Sequence, residues 1–164
     1  KNAESEFEQE NVSSADPESV LEEYGAEMLL HGTWNNAKDL RVDWLVMWFG
    51  YRVRDSVNVS DYIRDGKDGL YFPEDEFEKL IYDYFGLAPE HLRESETYNA
   101  EEKAYVTPTA LYDLASTEYT ITKTDYNGDE MKIYFGLKVA DNAPVNRVLT
   151  VYTSNGGMRF LSCE

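Results

Sequence analysis

The amino-acid sequence predicts an α+β fold, in which three N-terminal helices pack on a C-terminal antiparallel β-meander of four or five strands. Two observations support this prediction. Apolar residues recur with helical spacing as far as residue 85, and from about residue 103 they alternate with polar residues as in strands. Helices followed by strands, rather than alternating with them, are typical of the α+β class. We expect residues 1–16 to be a flexible acidic tether and residues 17–164 to form one domain.

The first helix is predicted from Pro17 to His31. Asp16 can cap it, proline suits the first helical position, and Gly32 provides a stop. His31 lies at the end of the apolar stripe of this helix. We interpret it as a packed side chain with one polar partner rather than as a ligand of a metal or substrate.

The second helix is predicted from about Lys38 to Tyr51. Its apolar arc is wide, which indicates a helix that is buried on more than one side. The aromatic side chains of Trp44, Trp48 and Tyr51 could line a pocket between this helix and the sheet. Packing in the core is the alternative role for them.

The third helix follows an irregular connection over residues 52–72, which has turn signals but no sustained period. Pro73 opens the helix, three acids load its first turn, and Gly86 ends it. A short helical turn is predicted at residues 89–93.

The strands are predicted at residues 103–107, 118–124, 130–139, 145–153 and 158–163. Since a slip of one residue would expose an apolar face, matching of these faces sets the register. The best match for the hairpin after residue 124 is a three-residue turn, Tyr126-Asn127-Gly128, with Gly128 left-handed. It places Asp125 opposite Asp129 and Ile121 opposite Ile133.

The remaining turns follow from the same rule. A five-residue connection over residues 140–144 pairs Ile133 with Val151. A two-residue Asn155-Gly156 turn pairs Val151 with Phe160. The result is a four-stranded meander with one apolar face for the helices.

The opposite face of the meander is the candidate binding site. The predicted register gathers six side chains on it: Thr122, Lys132, Tyr134, Thr150, Tyr152 and Arg159. Tyrosine beside lysine and arginine can bind a planar or anionic group through stacking and charge. The alternative is an ordinary solvated face, where tyrosine and threonine follow strand propensity and lysine opposes aggregation.

Charge and composition exclude several classes of function. The net charge of −17 argues against nucleic-acid binding, which needs lysine and arginine to neutralise phosphates. The sequence contains no run of about 20 apolar residues, so it does not predict insertion in a membrane. The single cysteine, Cys163, excludes an internal disulfide and suits a cytosolic protein or an exported one from a Gram-positive bacterium.

The sequence predicts no catalytic residues, no metal site and no cofactor. Two histidines and a penultimate Cys163 offer no nucleophile with a base and an orienting group. Residues 125–130 begin like a calcium loop. However, Glu130 and Gly136 stand where such a loop needs glycine and glutamate, and a hairpin turn explains the same residues.

Three segments resemble secreted lipoprotein ectodomains of Gram-positive gut bacteria: FPEDEFEKLIYDYFG, EEKAYV and GGMRFLSCE. The order of elements is also similar to the cone-shaped nuclear-transport-factor-like and cystatin-like folds. The resemblance covers roughly residues 17–164 and carries no catalytic residue over. The resemblance implies an extracytoplasmic protein that is secreted or tethered at the cell surface. The only membrane contact that it implies is an N-terminal lipid anchor, which is removed with the signal segment. A disordered tail of a cytosolic protein is the alternative interpretation of residues 1–16.

The sequence therefore predicts an extracytoplasmic domain that binds a small molecule, a glycan or an envelope protein. The first alternative is a small enzyme of the nuclear-transport-factor-like type, with a pocket between helix and sheet. The second is a purely structural interaction domain. Fold analogy alone does not choose among them.

Overall fold

The computed structural model describes residues 15–56, 59–107, 111, 113–154 and 156–164. Its helices are α1 (Pro17–His31), α2 (Val42–Ser56), α3 (Glu74–Phe85) and α4 (Pro89–Leu92), with 3-10 turns at Ala37–Asp39 and Val59–Tyr62. A small antiparallel sheet has the strand order β1 (Tyr71–Pro73), β3 (Ala104–Val106), β2 (Tyr98–Asn99). The larger antiparallel sheet runs in chain order: β4 (Thr117–Asn127), β5 (Glu130–Val139), β6 (Val145–Ser154) and β7 (Gly157–Cys163). The predicted α+β class is confirmed.

The predicted start of the first helix is confirmed. Asp16 caps α1 by accepting a hydrogen bond from the backbone N–H of Ser19 at 3.2 Å. Ala15 packs against the core. These two residues therefore belong to the folded part of the chain, whereas the rest of the predicted tether, residues 1–14, lies outside the described residues.

The second helix begins and ends later than predicted. The side chain of Asn36 accepts from the N–H of Lys38 at 3.0 Å and caps a separate 3-10 turn, so α2 begins only at Val42. At the other end, Val53 is buried one helical turn beyond Phe49 and extends the apolar stripe. The predicted irregular connection is correspondingly shorter.

The core lies between the helices and one face of the larger sheet. Helix α1 packs on β4, α3 packs on β7, and α2 packs against α1 and α3. Phe160 of β7 is at the centre of this layer. Its ring contacts those of Tyr24, Tyr84 and Phe85 at centroid distances of 5.0, 5.7 and 5.5 Å. The apolar face predicted for the strand at residues 130–139, which is β5, is buried at Met131, Ile133, Phe135 and Leu137. Val139, at the end of this face, is half-buried.

The strand predicted at residues 103–107 belongs to the small sheet and not to the meander. It forms β3, with Tyr105 opposite Phe72 of β1 and both side chains buried. Leu70 and Thr107 extend the pairing, because each donates its backbone N–H to the other residue. The meander therefore has four strands.

The hairpin between β4 and β5 is confirmed, but its turn differs from the predicted one. Asn127 pairs with Glu130, so Gly128 and Asp129 form a two-residue turn instead of the loop over residues 126–128. Gly128 has a φ of 60°, which confirms its predicted left-handed backbone. A positive φ at the first central position suits a type II′ hairpin turn.

The register of this hairpin is also different, since Ile121 lies opposite Phe135 and not Ile133. A bulge at Thr122 interrupts the ladder, and its hydroxyl donates to the carbonyl oxygen of Tyr134 at 3.2 Å. A bulge adds one residue to one strand. It therefore restores the alignment of apolar faces, which the prediction had achieved with an extra residue in the turn.

The pairing of β5 with β6 is shifted by two residues from the prediction. Ile133 lies opposite Leu149 instead of Val151. A shift of two leaves every side chain on its original face, so matching of apolar faces cannot detect it. The chain turns after β5 at Ala140, which has a φ of 48° and donates its N–H to the carbonyl of Ser116 at 2.8 Å.

The last hairpin follows the predicted register near its turn, but a register shift between Thr150 and Val151 places Thr150 opposite Ser162. Val151 lies opposite Phe160, and Thr153 lies opposite Met158. Asn155, the first residue of the predicted turn, lies outside the described residues.

Helix α1 is interrupted at Gly25, which was not predicted. Gly25 has a φ of 80° and a ψ of 158°, a backbone conformation that is accessible almost only to glycine. The break frees two carbonyl groups of the preceding turn, and side chains of α2 satisfy both. Trp48 donates to the carbonyl of Tyr24 at 2.9 Å, and Arg52 donates to that of Glu23 at 3.1 Å.

We expect Gly25→Ala to lower the free energy of unfolding by about 1–3 kcal/mol, because any side chain at this φ and ψ is strained. Chemical denaturation followed by tryptophan fluorescence measures the change. Gly136→Ala is the matched control. A Cβ there has open space, and we expect its effect to stay within about 0.5 kcal/mol. Equal effects of the two substitutions would contradict the strained break.

Candidate functional site

The six predicted binding residues are arranged differently from the prediction, in which Lys132 lies opposite Tyr152 in one row across the sheet. Because of the register shifts, Lys132 lies opposite Asp125 and Thr150, while Tyr152 lies opposite Glu130 and Arg159. Lys132 and Tyr152 are therefore on neighbouring rows and not on the same one. Tyr134 lies opposite Lys123 and Val148 instead of Thr150.

We call the sheet face opposite the core the outer face, and β4 carries an ion pair on it within one strand. Lys123 Nζ binds Asp125 Oδ2 at 2.7 Å and lies 5.1 Å from the ring centroid of Tyr134. The hydrogen bond to Asp125 raises the pKa of Lys123. Lys132 and Tyr152 are exposed but Arg159 is half-buried, whereas the binding interpretation needs all three to be exposed. Alternating opposite charges on a solvated sheet are typical of an ordinary surface.

Arg159 turns away from the outer face and caps α3. Its guanidinium donates to the carbonyl oxygens of Tyr82 at 3.1 Å and Asp83 at 3.5 Å, and it lies 5.1 Å from the ring centroid of Tyr82. A cation at the C-terminal end of a helix satisfies free carbonyls and interacts favourably with the helix dipole. Arg159 thus fixes the position of β7 relative to α3.

A groove of about 480 Å³ lies between α3 and the hairpin of β6 and β7, and we call it the α3–hairpin groove. The described residues that line it are Asp83, Tyr84, Tyr152, Ser154, Gly156, Gly157, Met158 and Arg159. Its volume falls within the range of small-molecule sites. Tyr152 and Arg159 are the two predicted binding residues that the structure brings together here.

Tyr84 forms one wall of the groove and is held from behind by a half-buried cluster. Its ring stacks on Phe160, and its hydroxyl donates to Glu23 Oε2 at 3.0 Å. The guanidinium of Arg52 lies 4.9 Å from the ring centroid of Trp48 and 4.8 Å from that of Tyr84. Such cation–π contacts and stacking restrict the rotamers of the rings.

The ion pair in this cluster is reflected in the pKa values of its members. Burial raises the pKa of Tyr84. Burial alone would also raise the pKa of Glu23, but the hydrogen bond and the charge of Arg52 outweigh it, so the pKa of Glu23 is lowered. Glu23 Oε2 lies 2.7 Å from an Arg52 nitrogen. At neutral pH the wall behind Tyr84 is therefore a charge-assisted network.

The electrostatic environment of the groove is close to neutral. Asp83 and Arg159 are the two formally charged groups among the described residues that line it. The carboxylate of Asp83 binds Lys79 Nζ at 2.7 Å. A chain with a net charge of −17 thus presents a groove without a strong field of either sign.

The residues predicted to line an alternative pocket separate into different environments. Trp44 stacks on His31 with ring centroids 4.3 Å apart, while Trp48 is buried in the core. Trp48 and Tyr51 do line a cleft of about 470 Å³, but that cleft lies on α1 and α2 and not between α2 and the sheet. The interpretation of His31 is confirmed, because it packs on one ring and shares a 2.6 Å hydrogen bond with Glu27.

Other groups with catalytic potential are engaged or buried in the part of the chain that the structure describes. Cys163 is buried, and burial raises the pKa of its thiol, which keeps it protonated at neutral pH and poorly nucleophilic. Within the described ranges, no three His, Cys, Asp or Glu side chains converge in a way that could hold a metal ion. Asp125 and Asp129 of the calcium-like stretch instead lie near Lys123 and the hydroxyl of Tyr152, respectively.

Tyr84 and Met158 are groove residues that the sequence interpretation did not select. Both belong to regular apolar stripes, Tyr84 on a helix and Met158 on a strand, and these stripes are typical of core residues. Tyr84 and Met158 become neighbours only because α3 packs against β7. These two elements are far apart in the sequence, and the hydrogen bond between Arg159 and Tyr82 joins residues that are 77 positions apart. Sequence spacing carries no signal for such a contact.

Comparison with known proteins gives no relative: no protein-family model, no curated protein and no solved structure matches this chain. Within the part of the chain that the structure describes, the helices are too short or too polar to span a bilayer.

Proposed function

We propose that this protein is an extracytoplasmic binding domain whose ligand occupies the α3–hairpin groove. The observation that carries the proposal is the combination, in one concave site of about 480 Å³, of tyrosine rings with a few polar groups at its rim. Ligand sites are typically concave, partly aromatic and equipped with a small number of fixed polar groups. Tyrosine suits such sites because it buries a large ring at a low cost in side-chain entropy.

The groove is favoured over the outer face because its walls are held in place. Arg159 ties β7 to the end of α3, and the cluster behind Tyr84 fixes the opposite wall. A site that is formed before binding loses less entropy when the ligand arrives. The lysines of the outer face, in contrast, are flexible side chains at an open surface.

The groove favours binding over the enzymatic alternative. General acid–base catalysis needs a titratable group that is free to reach the substrate. Asp83 is engaged by Lys79, and Arg159 is engaged by helix carbonyls. The hydroxyls of Tyr152 and Ser154 are suited to bind and orient a ligand, because each can donate and accept a hydrogen bond.

The extracytoplasmic location is part of the proposal and rests on sequence features. The segment of residues 1–14 is polar and acidic, and the chain resembles secreted lipoprotein ectodomains. In that setting the ligand is a small molecule, a glycan or part of an envelope protein.

A thermal-shift screen against glycans, peptides and small metabolites tests the proposal. A ligand at 100 times its dissociation constant adds about 2.7 kcal/mol to the stability of the folded state. We expect Tyr152→Ala to reduce the stabilisation given by a groove ligand to about half, because a tenfold loss of affinity leaves that ligand at about 10 times its dissociation constant. Tyr126→Ala is the matched control, because Tyr126 is also an exposed strand tyrosine, 53% against 44% for Tyr152, and lies outside the groove.

If every stabilising compound acts equally on the Tyr152→Ala and Tyr126→Ala variants, the groove is not the binding site. Since both tyrosines are exposed, the two variants should retain the melting temperature of the unmodified protein within a few degrees. That comparison shows that a reduced shift reports binding and not unfolding.

A further inference from the structure

We infer that the ligand of the α3–hairpin groove is a neutral oligosaccharide. This inference rests on the proposed function, because it names the chemical class that the same groove recognises.

The first argument is the charge of the groove. Lys79 neutralises Asp83, and the carbonyls of α3 occupy Arg159. An anionic ligand would find the groove's cation, Arg159, already engaged by helix carbonyls. A cationic ligand would find the groove's carboxylate, Asp83, already engaged by Lys79. Ligands without formal charge avoid both costs of desolvating an unpaired charge.

The second argument is the exposed tyrosine ring in the groove. Tyr152 lines the groove and is 44% exposed. Its ring combines an apolar face with a polar hydroxyl, a combination that is typical of tyrosine at binding surfaces. A pyranose ring presents a patch of C–H groups on one face, which packs well against a tyrosine ring.

The third argument is the nature of the polar groups at the rim. The Ser154 and Tyr152 hydroxyls can each donate and accept, and the Asp83 oxygen that does not bind Lys79 can accept from a hydroxyl. Sugar hydroxyls need partners of this mixed kind, since each is both donor and acceptor. The backbone at Gly156 and Gly157 carries no side chain to obstruct a sugar ring.

These features together distinguish an oligosaccharide from a peptide. An extended peptide would add to the edge strand β7, whose residues 157–159 border the groove, and it would depend on backbone hydrogen bonds along that edge. The rings of Tyr84 and Tyr152 and the hydroxyls of Tyr152 and Ser154 offer side-chain contacts that such backbone pairing leaves unused. The combination of aromatic C–H contact with bidirectional hydrogen bonds is therefore best matched by a sugar chain.

Isothermal titration with four neutral hexasaccharides tests the inference: cellohexaose, maltohexaose, mannohexaose and chitohexaose. Hexagalacturonate is the anionic comparison. We expect at least one neutral chain to bind, and Tyr152→Ala to weaken it by about tenfold, as the loss of one main aromatic contact does. Tyr126→Ala should leave its affinity within about twofold. Ser154→Trp, which fills the groove, should abolish binding without depending on Tyr152.

Each other outcome overturns a defined part of the account. If none of the neutral chains binds at 10 mM, about the weakest affinity that titration resolves, the oligosaccharide inference is wrong. If in addition a peptide or metabolite from the thermal-shift screen loses part of its effect in Tyr152→Ala, the groove remains the site and only the ligand class is wrong. If a neutral chain binds equally to the Tyr152→Ala and Ser154→Trp variants, its site lies elsewhere and both proposals fail.

Discussion

Phe160→Ala is expected to lower the free energy of unfolding by about 3–5 kcal/mol, the usual cost of removing a fully buried aromatic side chain. Phe160 contacts the rings of Tyr24, Tyr84 and Phe85, so its loss leaves a cavity where α1, α3 and β7 meet. Domains of this size are stable by about 5–15 kcal/mol in total. Equilibrium denaturation in urea measures the loss, and the variant should also lose ligand binding, because Tyr84 is no longer supported.

Leu161→Ala is the control for this substitution. Leu161 is the next residue of β7 but is exposed, so its truncation should change the unfolding free energy by less than about 0.5 kcal/mol. A loss below about 1 kcal/mol for Phe160→Ala would mean that the core does not depend on this contact.

Burial of Tyr24 and Tyr105 alone is expected to lower the stability of the protein by about 2–3 kcal/mol between pH 9 and pH 11. Burial raises the pKa of Tyr24 and Tyr105, and both side chains are fully buried. In the unfolded chain a tyrosine loses its proton near pH 10, while the folded state retains it. Each tyrosine therefore costs about 1.4 kcal/mol of stability per pH unit above that value, and its contribution is fully present below it. Cys163, whose pKa is also raised by burial, acts in the same direction.

Urea denaturation at a series of pH values measures this dependence. Tyr105→Phe should reduce the slope above pH 10 by about one tyrosine's contribution. It should also lower stability at neutral pH, because Glu78 loses the hydroxyl that donates to it at 2.9 Å. Tyr126→Phe, which alters an exposed tyrosine, should leave the slope unchanged. A stability that stays constant up to pH 11 would contradict the protonated buried tyrosines.

The sequence is sufficient to predict which faces of the strands are buried but not which residues lie opposite one another. For the apolar faces of β4 and β5 to align, the hairpin that they form needs one extra residue. The sequence interpretation placed it in the turn, whereas the structure places it in the bulge at Thr122. Turn and bulge have the same effect on the faces, so the pattern cannot distinguish them. The shift of two residues between β5 and β6 escapes detection for the same reason.

The break at Gly25 shows a second limit of sequence patterns. The apolar stripe continues through it from Val20 to Met28, so nothing in the spacing indicates an interruption. Its cause lies in α2, where Trp48 and Arg52 replace the lost helical hydrogen bonds. Contacts with α2 therefore stabilise the backbone conformation of α1 at Gly25.

The candidate site was predictable only in part. Tyrosine, lysine and arginine on the strands indicated a binding surface, and Tyr152 and Arg159 do meet in the α3–hairpin groove. Lys132, Tyr134, Thr150 and Thr122 remain on strands whose register moved them away from that pair. The other wall of the groove comes from α3, whose position next to β7 is a property of the folded chain.

Mapping of amide chemical shifts by NMR tests the central claim most directly. The ¹⁵N-labelled protein is titrated with the compound that gives the largest thermal shift. We predict that the largest changes fall at residues 82–84, 152–154 and 156–159, around the α3–hairpin groove. Largest changes on the outer face, at residues 120–125 and 132–134, or at the cleft near Tyr51, would contradict the claim.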